Sequence, residues 1–346
     1  MNSKDIAKLA GVSRSTVSRV INNYDNVPEE TKRKVLEIIK KYNYVPHASA
    51  RMLAGKRNKI IGVFLYDAKA EAQTEHKKVF ASAYFNNFTS AIIDTAKEHG
   101  YNVLAVMIEN SKDWKNAKEI FYNKTIDGGI FIGIKNNDPN IKEIIEAGFK
   151  VALVDQDTKS ADEAFSKSII INADNFTAAY KTVKYLVNKG HTKIAHITGD
   201  MSLLSAIERL EGYKKALIDS GILIKNSFIV RGFFTVESGY KAAKKLLLKE
   251  KPTAIFIGND SMALGAIQAI QELGLKIPDD ISIIGFDDIE IAKYITPSLT
   301  TNRIPIYDMA YIATTNLINS IEENSSFSAS YLIPVEFIER NSCRSL

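Results

Sequence analysis

The chain has 346 residues, of which 45% are hydrophobic and 25% charged. That mixture excludes global disorder, and the length suits two or three domains rather than one. Net charge is +5, yet residues 1–60 carry 13 Lys/Arg against 5 Asp/Glu while the other 286 carry 32 against 35. A basic head on a slightly acidic body suits a polyanionic partner. The apolar runs, about six residues at most, are too short to span a bilayer. Met1-Asn2-Ser3-Lys4-Asp5 lacks an apolar leader, so the expected location is the cytoplasm, with no membrane partner. A single cysteine, Cys343, excludes a disulfide framework and any multi-cysteine metal site. No metal or cofactor is expected.

Residues 3–43 read as three short helices. Ser3 can cap the first, with Ile6, Leu9 and Ala10 on one face. Gly11-Val12 turns the chain, and Ser13 can cap a second helix carrying Val17, Val20 and Ile21. Pro28 opens a third, with Val35, Ile38, Ile39 and Tyr42 inward and Lys32, Arg33, Lys34, Lys40 and Lys41 outward. On the second helix, Arg14, Ser15, Ser18 and Arg19 project away from the apolar side. A helix in the major groove reads base edges with such residues, and the arginine fork matches two acceptors of guanine. Hydroxyls such as Thr16 and Ser18 suit phosphate oxygens. After Pro46, residues 47–55 have length for about two helical turns, marginal in isolation because nucleation is costly.

From residue 60 apolar strands alternate with amphipathic helices. The runs are Ile60–Leu65, Val103–Ile108, Gly129–Ile134, Val151–Val154, Ile169–Ile171, Ile194–Thr198, Ala254–Ile257 and Ile281–Phe286. Five helices are expected to end near Gly100, Gly148, Gly190, Gly221 and Gly274. Continuous apolar strands between helices mean parallel sheets covered on both faces. So much of this pattern predicts two similar α/β subdomains. Asp67–Ala83 breaks the rhythm and reads either as a lid over a cleft or as a passive surface loop.

Two facing α/β subdomains bind ligands at the carboxyl ends of their strands. Asp155, Asn259 with Asp260, and Asp287 follow strands there, though each acid could equally cap a helix. Asp260, which opens a helix, suits the capping role best. Carboxylates and amides suit a hydroxyl-rich ligand, Arg209 offers five donors, and Phe234 could lie against a sugar ring or a base.

The ordered motifs Asp5-Ile6-Ala7-Lys8-Leu9-Ala10-Gly11-Val12-Ser13, Thr16-Val17-Ser18-Arg19-Val20-Ile21-Asn22, Tyr44-Val45-Pro46 and Ala50-Arg51-Met52-Leu53-Ala54-Gly55 resemble the lactose-repressor/galactose-repressor (LacI/GalR) family. So do Glu208-Arg209-Leu210-Glu211-Gly212-Tyr213, Asn259-Asp260-Ser261-Met262-Ala263-Leu264-Gly265 and Gly285-Phe286-Asp287-Asp288. The resemblance spans nearly the whole chain. It implies a helix-turn-helix head (residues 1–46), a hinge helix and linker (47–58) and a periplasmic-binding-protein-like body (59–346) of two doubly wound parallel-sheet subdomains. The N-subdomain would hold about 59–162 and 291–325, and the C-subdomain about 163–290 and 326–341. The implied activity is repression of a carbohydrate-utilisation operon by a homodimer on a palindromic operator. Arg14 and Ser15 would read bases and Arg19 would contact guanine, while Ser13, Thr16, Ser18, Asn22 and His47 would touch the backbone. In the hinge, Leu53 would wedge into the minor groove, trading unstacking for a bent duplex, and Ala54 would also contact DNA. In the cleft, Asp155, Arg209, Phe234, Asn259 and Asp287 would contact a sugar-like effector. Tyr84 and Phe85, with Phe88, either close the other wall or belong to the core.

Enzyme readings find no support. The chain has no Gly-x-Gly-x-x-Gly after a strand, no phosphate-loop lysine, no Gly-x-Ser-x-Gly and no His-Glu-x-x-His. His47, His76, His99, His191 and His196 form no ligand spacing. A same-family regulator answering to a purine or to a partner protein remains open. A sugar-binding transport protein is the remoter alternative, opposed by the basic head.

Overall fold

The computed structural model describes residues 1–21, 24–42, 44, 57–66, 82–157, 163–325 and 327–346. Asn22, His47, Leu53 and Ala54, the hinge helix, residues 67–81 of the polar segment and the expected crossing near 162 lie outside the described residues. The chain divides into two compact units, Met1–Lys59 and Ile60–Leu346.

The first unit contains α1 (Ser3–Ala10), α2 (Arg14–Ile21) and α3 (Glu29–Lys41). Asn2, not Ser3, caps α1. Its side chain accepts from the backbone of Lys4 and Asp5, and Asp5 returns the bond to the Asn2 N–H at 2.7 Å. An amide one residue earlier thus satisfies the donors that Ser3 was expected to meet. Ser13 does cap α2, accepting from Thr16 N at 3.0 Å. Ile6, Ala7, Ala10, Val17, Val20, Val27, Val35 and Tyr44 form the core. Leu9 and Tyr42, expected inside, are exposed. The buried stripe of α1 centres between Ile6, Ala7 and Ala10, so Leu9 falls beyond its edge. Tyr44 is the buried tyrosine instead.

The second unit is built on two parallel sheets. The first uses β1 (Ile60–Tyr66), β2 (Asn102–Ile108), β3 (Gly128–Ile132), β4 (Val151–Val154), β5 (Ile169–Ala173) and β11 (Ala329–Ile333) in the order β11-β5-β4-β3-β1-β2. Around it lie α4 (Ala83–Glu98), α5 (Ser111–Tyr122), α6 (Pro139–Glu146) and α11 (Ile306–Glu322). The second sheet has the order β7-β6-β8-β9, from β6 (Ile194–Thr198), β7 (Ile229–Arg231), β8 (Ala254–Ile257) and β9 (Ser282–Ile284). Its helices are α7 (Asn175–Asn188), α8 (Leu204–Ile218), α9 (Val236–Leu247) and α10 (Asp260–Glu272). The central strands β3, β4, β5 and β8 are fully buried, as strands between two helical layers must be, whereas β2, β7 and β11 at the sheet edges are partly exposed. The five glycines expected after helices all have positive φ, from 67° to 92°.

The chain crosses between the lobes later than its pattern suggested. β5 pairs with β4 on one side and β11 on the other, so Ile169–Ala173 belongs to the first lobe. The first crossing therefore follows Ala173 rather than residue 162. The second runs through β10 (Thr301–Arg303), which pairs antiparallel with β12 (Glu336–Ile338), and the third lies between β11 and β12. Residues 329–333 are thus first-lobe strand, not second-lobe chain. A strand buried on both faces looks the same in sequence whichever sheet it joins.

α9 and α10 meet through glycine. A Cβ on Gly265 would lie 1.9 Å from Val236 O, and one on Gly239 would lie 2.1 Å from Met262 O. Both obstacles are backbone, so neither can swing aside. Gly265→Ala should cost about 1–3 kcal/mol by overpacking. At about 2–4 °C per kcal/mol for a body this size, the loss is visible in a thermal melt. An unchanged melting midpoint would show that the helices separate freely.

Candidate functional site

Tyr84, Asp155, Arg209, Phe234, Asn259 and Asp287 come together where the two lobes face each other. Asp155 leaves the end of β4 with φ 54°, its Oδ1 accepting from Ala173 N at 3.2 Å. Tyr84, in the first turn of α4, donates its hydroxyl to Asp155 Oδ2 at 3.4 Å. Ser82 caps that turn through Phe85 N, and Phe85 borders Gly133 at the end of β3. Phe88 is fully buried in the core, whereas Tyr84 and Phe85 are half-buried and pack against it.

The second lobe supplies the cation. Arg209 on α8 is only 3% exposed. Its Nε donates to Asn175 Oδ1 at 2.9 Å and Nη1 donates to Gly258 O. The guanidinium carbon stacks 3.6 Å from the Phe286 ring centroid and lies 5.8 Å from that of Phe234. Nη1 stands 3.9 Å from Asp287 Oδ1. Asn259 caps α10 by accepting from Met262 N at 2.9 Å, and its amide faces Phe234 O at 3.4 Å. Asp260, in contrast, is structural: its oxygens accept from Thr301 Oγ1 and Ile289 N. Asp155, Phe234 and Asp287 all hold positive φ, at 54°, 60° and 110°. Three non-glycine residues with positive φ thus gather at one place, which makes it a candidate for function.

The electrostatics are those of a buried cluster of charged groups. Burial raises Asp287 to about 7, with the nearby Arg209 and Asn259 opposing the shift. Burial also raises Asp155, with Ala173 N, Arg209 and Tyr84 opposing. Glu208, beside Arg209 on α8, is pushed up to about 7 by burial and by Asp155. Its Oε2 is buried with no hydrogen-bond partner among the described residues. Three acidic side chains thus lie in the field of one guanidinium, and burial holds all three above the ordinary carboxylate range.

In the head, Ser13, Arg14, Ser15, Ser18 and Arg19 are exposed and Thr16 is half-buried. Arg14 Nε donates to Ser3 Oγ at 3.0 Å. The Ser13 hydroxyl lies 2.7 Å from that of Ser15 and 2.8 Å from that of Thr16. These exposed hydroxyl and guanidinium groups gather at the start of one short helix, a pattern that suits contacts with a nucleic acid.

Residues 3–47 match the bacterial regulatory proteins of the lacI family, and residues 183–343 match a periplasmic binding protein-like domain. A probable HTH-type transcriptional repressor ExuR of Bacillus subtilis (strain 168) is 35% identical over 345 residues, covering 99% of this chain and 98% of the relative. Catabolite control protein A of Priestia megaterium is 33% identical, covering 96% and 97%. The chain belongs to the LacI family. A solved lac repressor dimer, bound to operator and the anti-inducer ONPF, superposes with a TM-score of 0.80 at 28% identity, covering 98% of both chains. This LacI-family chain is accordingly a DNA-binding transcriptional regulator and not an enzyme. Among the described residues, no helix is long and apolar enough to cross a membrane.

Glu208, Phe286 and Asp288 lie inside the family motifs with no role legible from sequence, and Asn175 lies outside them. No local signal marks them, because each acts through a partner distant in sequence. Glu208 can be tested without a ligand. An acid whose folded pKa lies above its unfolded value binds extra protons in the folded state, so it destabilises progressively as pH rises from about 4 to about 7. Glu208→Gln removes that penalty. Its melting midpoint should lead the parent by about 2–4 °C at pH 8, and the lead should shrink towards pH 5. A pH-independent difference would refute the raised carboxyl.

Proposed function

We propose that this regulator represses a carbohydrate-utilisation operon, binding a palindromic operator as a homodimer through α2 and sensing a small, hydroxyl-rich effector in the cleft. The observation that carries the effector reading is the buried Arg209–Asp287 pair facing Asp155 and Tyr84 of the other lobe. These groups offer directional donors and acceptors on both sides of one small ligand. The lac repressor neighbour, a dimer seen with operator and an anti-inducer, supports the same division of labour. Arg14, Ser15 and Arg19 take the bases, and Ser13, Thr16 and Ser18 take the phosphates. The working division is head 1–46, hinge and linker 47–58 and effector body 59–346. Effector binding alters the angle between the lobes, and a coupling of about 1–3 kcal/mol changes operator affinity about 5- to 150-fold.

Two measurements on the full chain test this. Selection from random duplex DNA should return a palindrome. Thermal melts against cellobiose, ribose, galactose, galacturonate, glucose 6-phosphate and hypoxanthine should show one sugar that raises the midpoint. A ligand at 100 times its Kd adds about 2.7 kcal/mol. A sugar hit lost on Asp287→Asn supports the reading. A hit from hypoxanthine alone moves it to a purine, and silence from the whole panel moves it to a partner protein.

A further inference from the structure

Asp287 and Asp288 are consecutive, yet they face different tasks. Asp287 points to Arg209 in the cleft, and Arg209 in turn holds Asn175, the residue that opens α7 after the first crossing. The Asp288 side chain, 2% exposed, points the other way. Its Oδ2 accepts from Arg303 Nε at 2.8 Å and its Oδ1 from Arg340 Nη2 at 2.5 Å. Arg303 ends β10, the second crossing. Arg340 follows β12, which the chain enters from the third. The two strands are themselves tied, because Arg303 opposes Glu336 in register and pairs with it at 3.0 Å. Arg340 adds a bond from Nη1 to Leu299 O at 2.7 Å. Backbone contacts complete the junction, with Asp287 bridging to Arg303 and donating to Asn302 O at 2.7 Å. Asp288 sits at φ 57°, a conformation a non-glycine residue holds only when its surroundings over-determine it. Burial pushes the Asp288 pKa up, but the hydrogen bonds from Arg340 and Arg303 outweigh it and keep the carboxyl below its usual range.

We infer that Asp288 is a positioning residue for the allosteric response: its carboxylate locks the turn that carries Asp287 to the second and third crossing strands, so that the cleft-facing acid and the lobe angle move as one. All three crossings then report to one dipeptide, the first through Arg209 and Asn175 and the other two through Asp288. A ligand that shifts Asp287 by a fraction of an ångström cannot do so without turning β10 and β12, because two charge-assisted hydrogen bonds resist slippage. The regulatory meaning rests on the effector reading above, whereas the geometry and its test do not.

The test is an inter-lobe distance measured by pulsed electron spin resonance on the full chain. Spin labels go at Lys115→Cys on α5 and Lys245→Cys on α9 in a Cys343→Ser background, diluted with unlabelled protein. The parent should give one narrow distance. Asp288→Asn should broaden that distribution about twofold or more as the lobes sample several angles. Leu246→Ala, a core truncation in α9 away from the crossings, lowers stability without touching the clamp and should leave the distribution narrow. Should Asp288→Asn fail to fold, Arg303→Lys at the half-exposed arm of the clamp must broaden it in the same way. A distribution unchanged by Asp288→Asn, or unchanged by Arg303→Lys, or broadened equally by Leu246→Ala, would overturn the inference.

Discussion

Arg209→Met should abolish the effector response and make the body's stability steeply pH-dependent. Arg209 is the sole cation against Asp155, Glu208 and Asp287 in the described cleft, and its guanidinium is held by Asn175, Gly258 and the Phe286 ring with Asp287 3.9 Å away. Burial lowers the Arg209 pKa, but Asp287 and Asp155 oppose this and favour its charge. Methionine keeps the stem and the contact with Phe286 but strands a buried carboxylate. Breaking a buried pair from one side costs about 3–5 kcal/mol. Asp287 has an escape, because its carboxyl already titrates near 7 and loses in the variant the cation that held it down. Protonation then removes the stranded charge. The sign follows: the folded variant binds a proton that the unfolded chain gives up, so the destabilisation is mild at pH 5.5 and full at pH 8. Melts of parent and variant at the two pH values check this. A ligand that stabilises the parent should bind at least about 100-fold more weakly, since a fixed donor and the setting of Asp287 go together. Equal melting at pH 8 with retained ligand binding would remove Arg209 from the site.

Why some of this was legible in the sequence and some was not has a physical answer. Acids and amides at strand ends are legible because a parallel sheet exposes only its strand termini to a ligand, so Asp155, Asn259 and Asp287 could be named from the run that precedes each. The head was legible because Arg14, Ser15, Ser18 and Arg19 are consecutive in space on one helix. β5 was misassigned to the second lobe because its burial on both faces is a property of the strand, while its partners β4 and β11 are set by the whole fold. Asn175, Glu208 and Asp288 were missed for the converse reason. Their chemistry is made by groups 34 residues away for Asn175 and 52 for Asp288. Ser3 and Asn2 illustrate the limit of local rules, because both can cap and only the chain geometry chooses.

Arg14→Ala should cost operator affinity without costing stability, and Ser13→Ala should cost both. Arg14 is exposed and its Nε is already held by Ser3 Oγ, which fixes the side chain at the start of α2 and leaves the two terminal nitrogens as a fork. A fork presented to the O6 and N7 of guanine is worth about 1–3 kcal/mol per half-site. Two half-sites in a dimer make that about 2–6 kcal/mol, a loss of at least about 30-fold. The loss should be confined to sequences with the preferred base, so that affinity for scrambled duplex barely changes. Ser13 differs because its hydroxyl is spent on the protein, capping Thr16 N and meeting the hydroxyls of Ser15 and Thr16. Removing a serine cap costs about 1 kcal/mol of helix stability. If the same hydroxyl also meets a phosphate, Ser13→Ala weakens binding evenly across sequences. Titrations of operator and scrambled duplex, alongside melts of the free protein, separate the two roles. An Arg14→Ala variant that loses specific and non-specific binding alike would make Arg14 a phosphate contact and leave the base reading to Ser15 and Arg19. A Ser13→Ala variant that melts with the parent would show that the N-terminus of α2 does not depend on its cap.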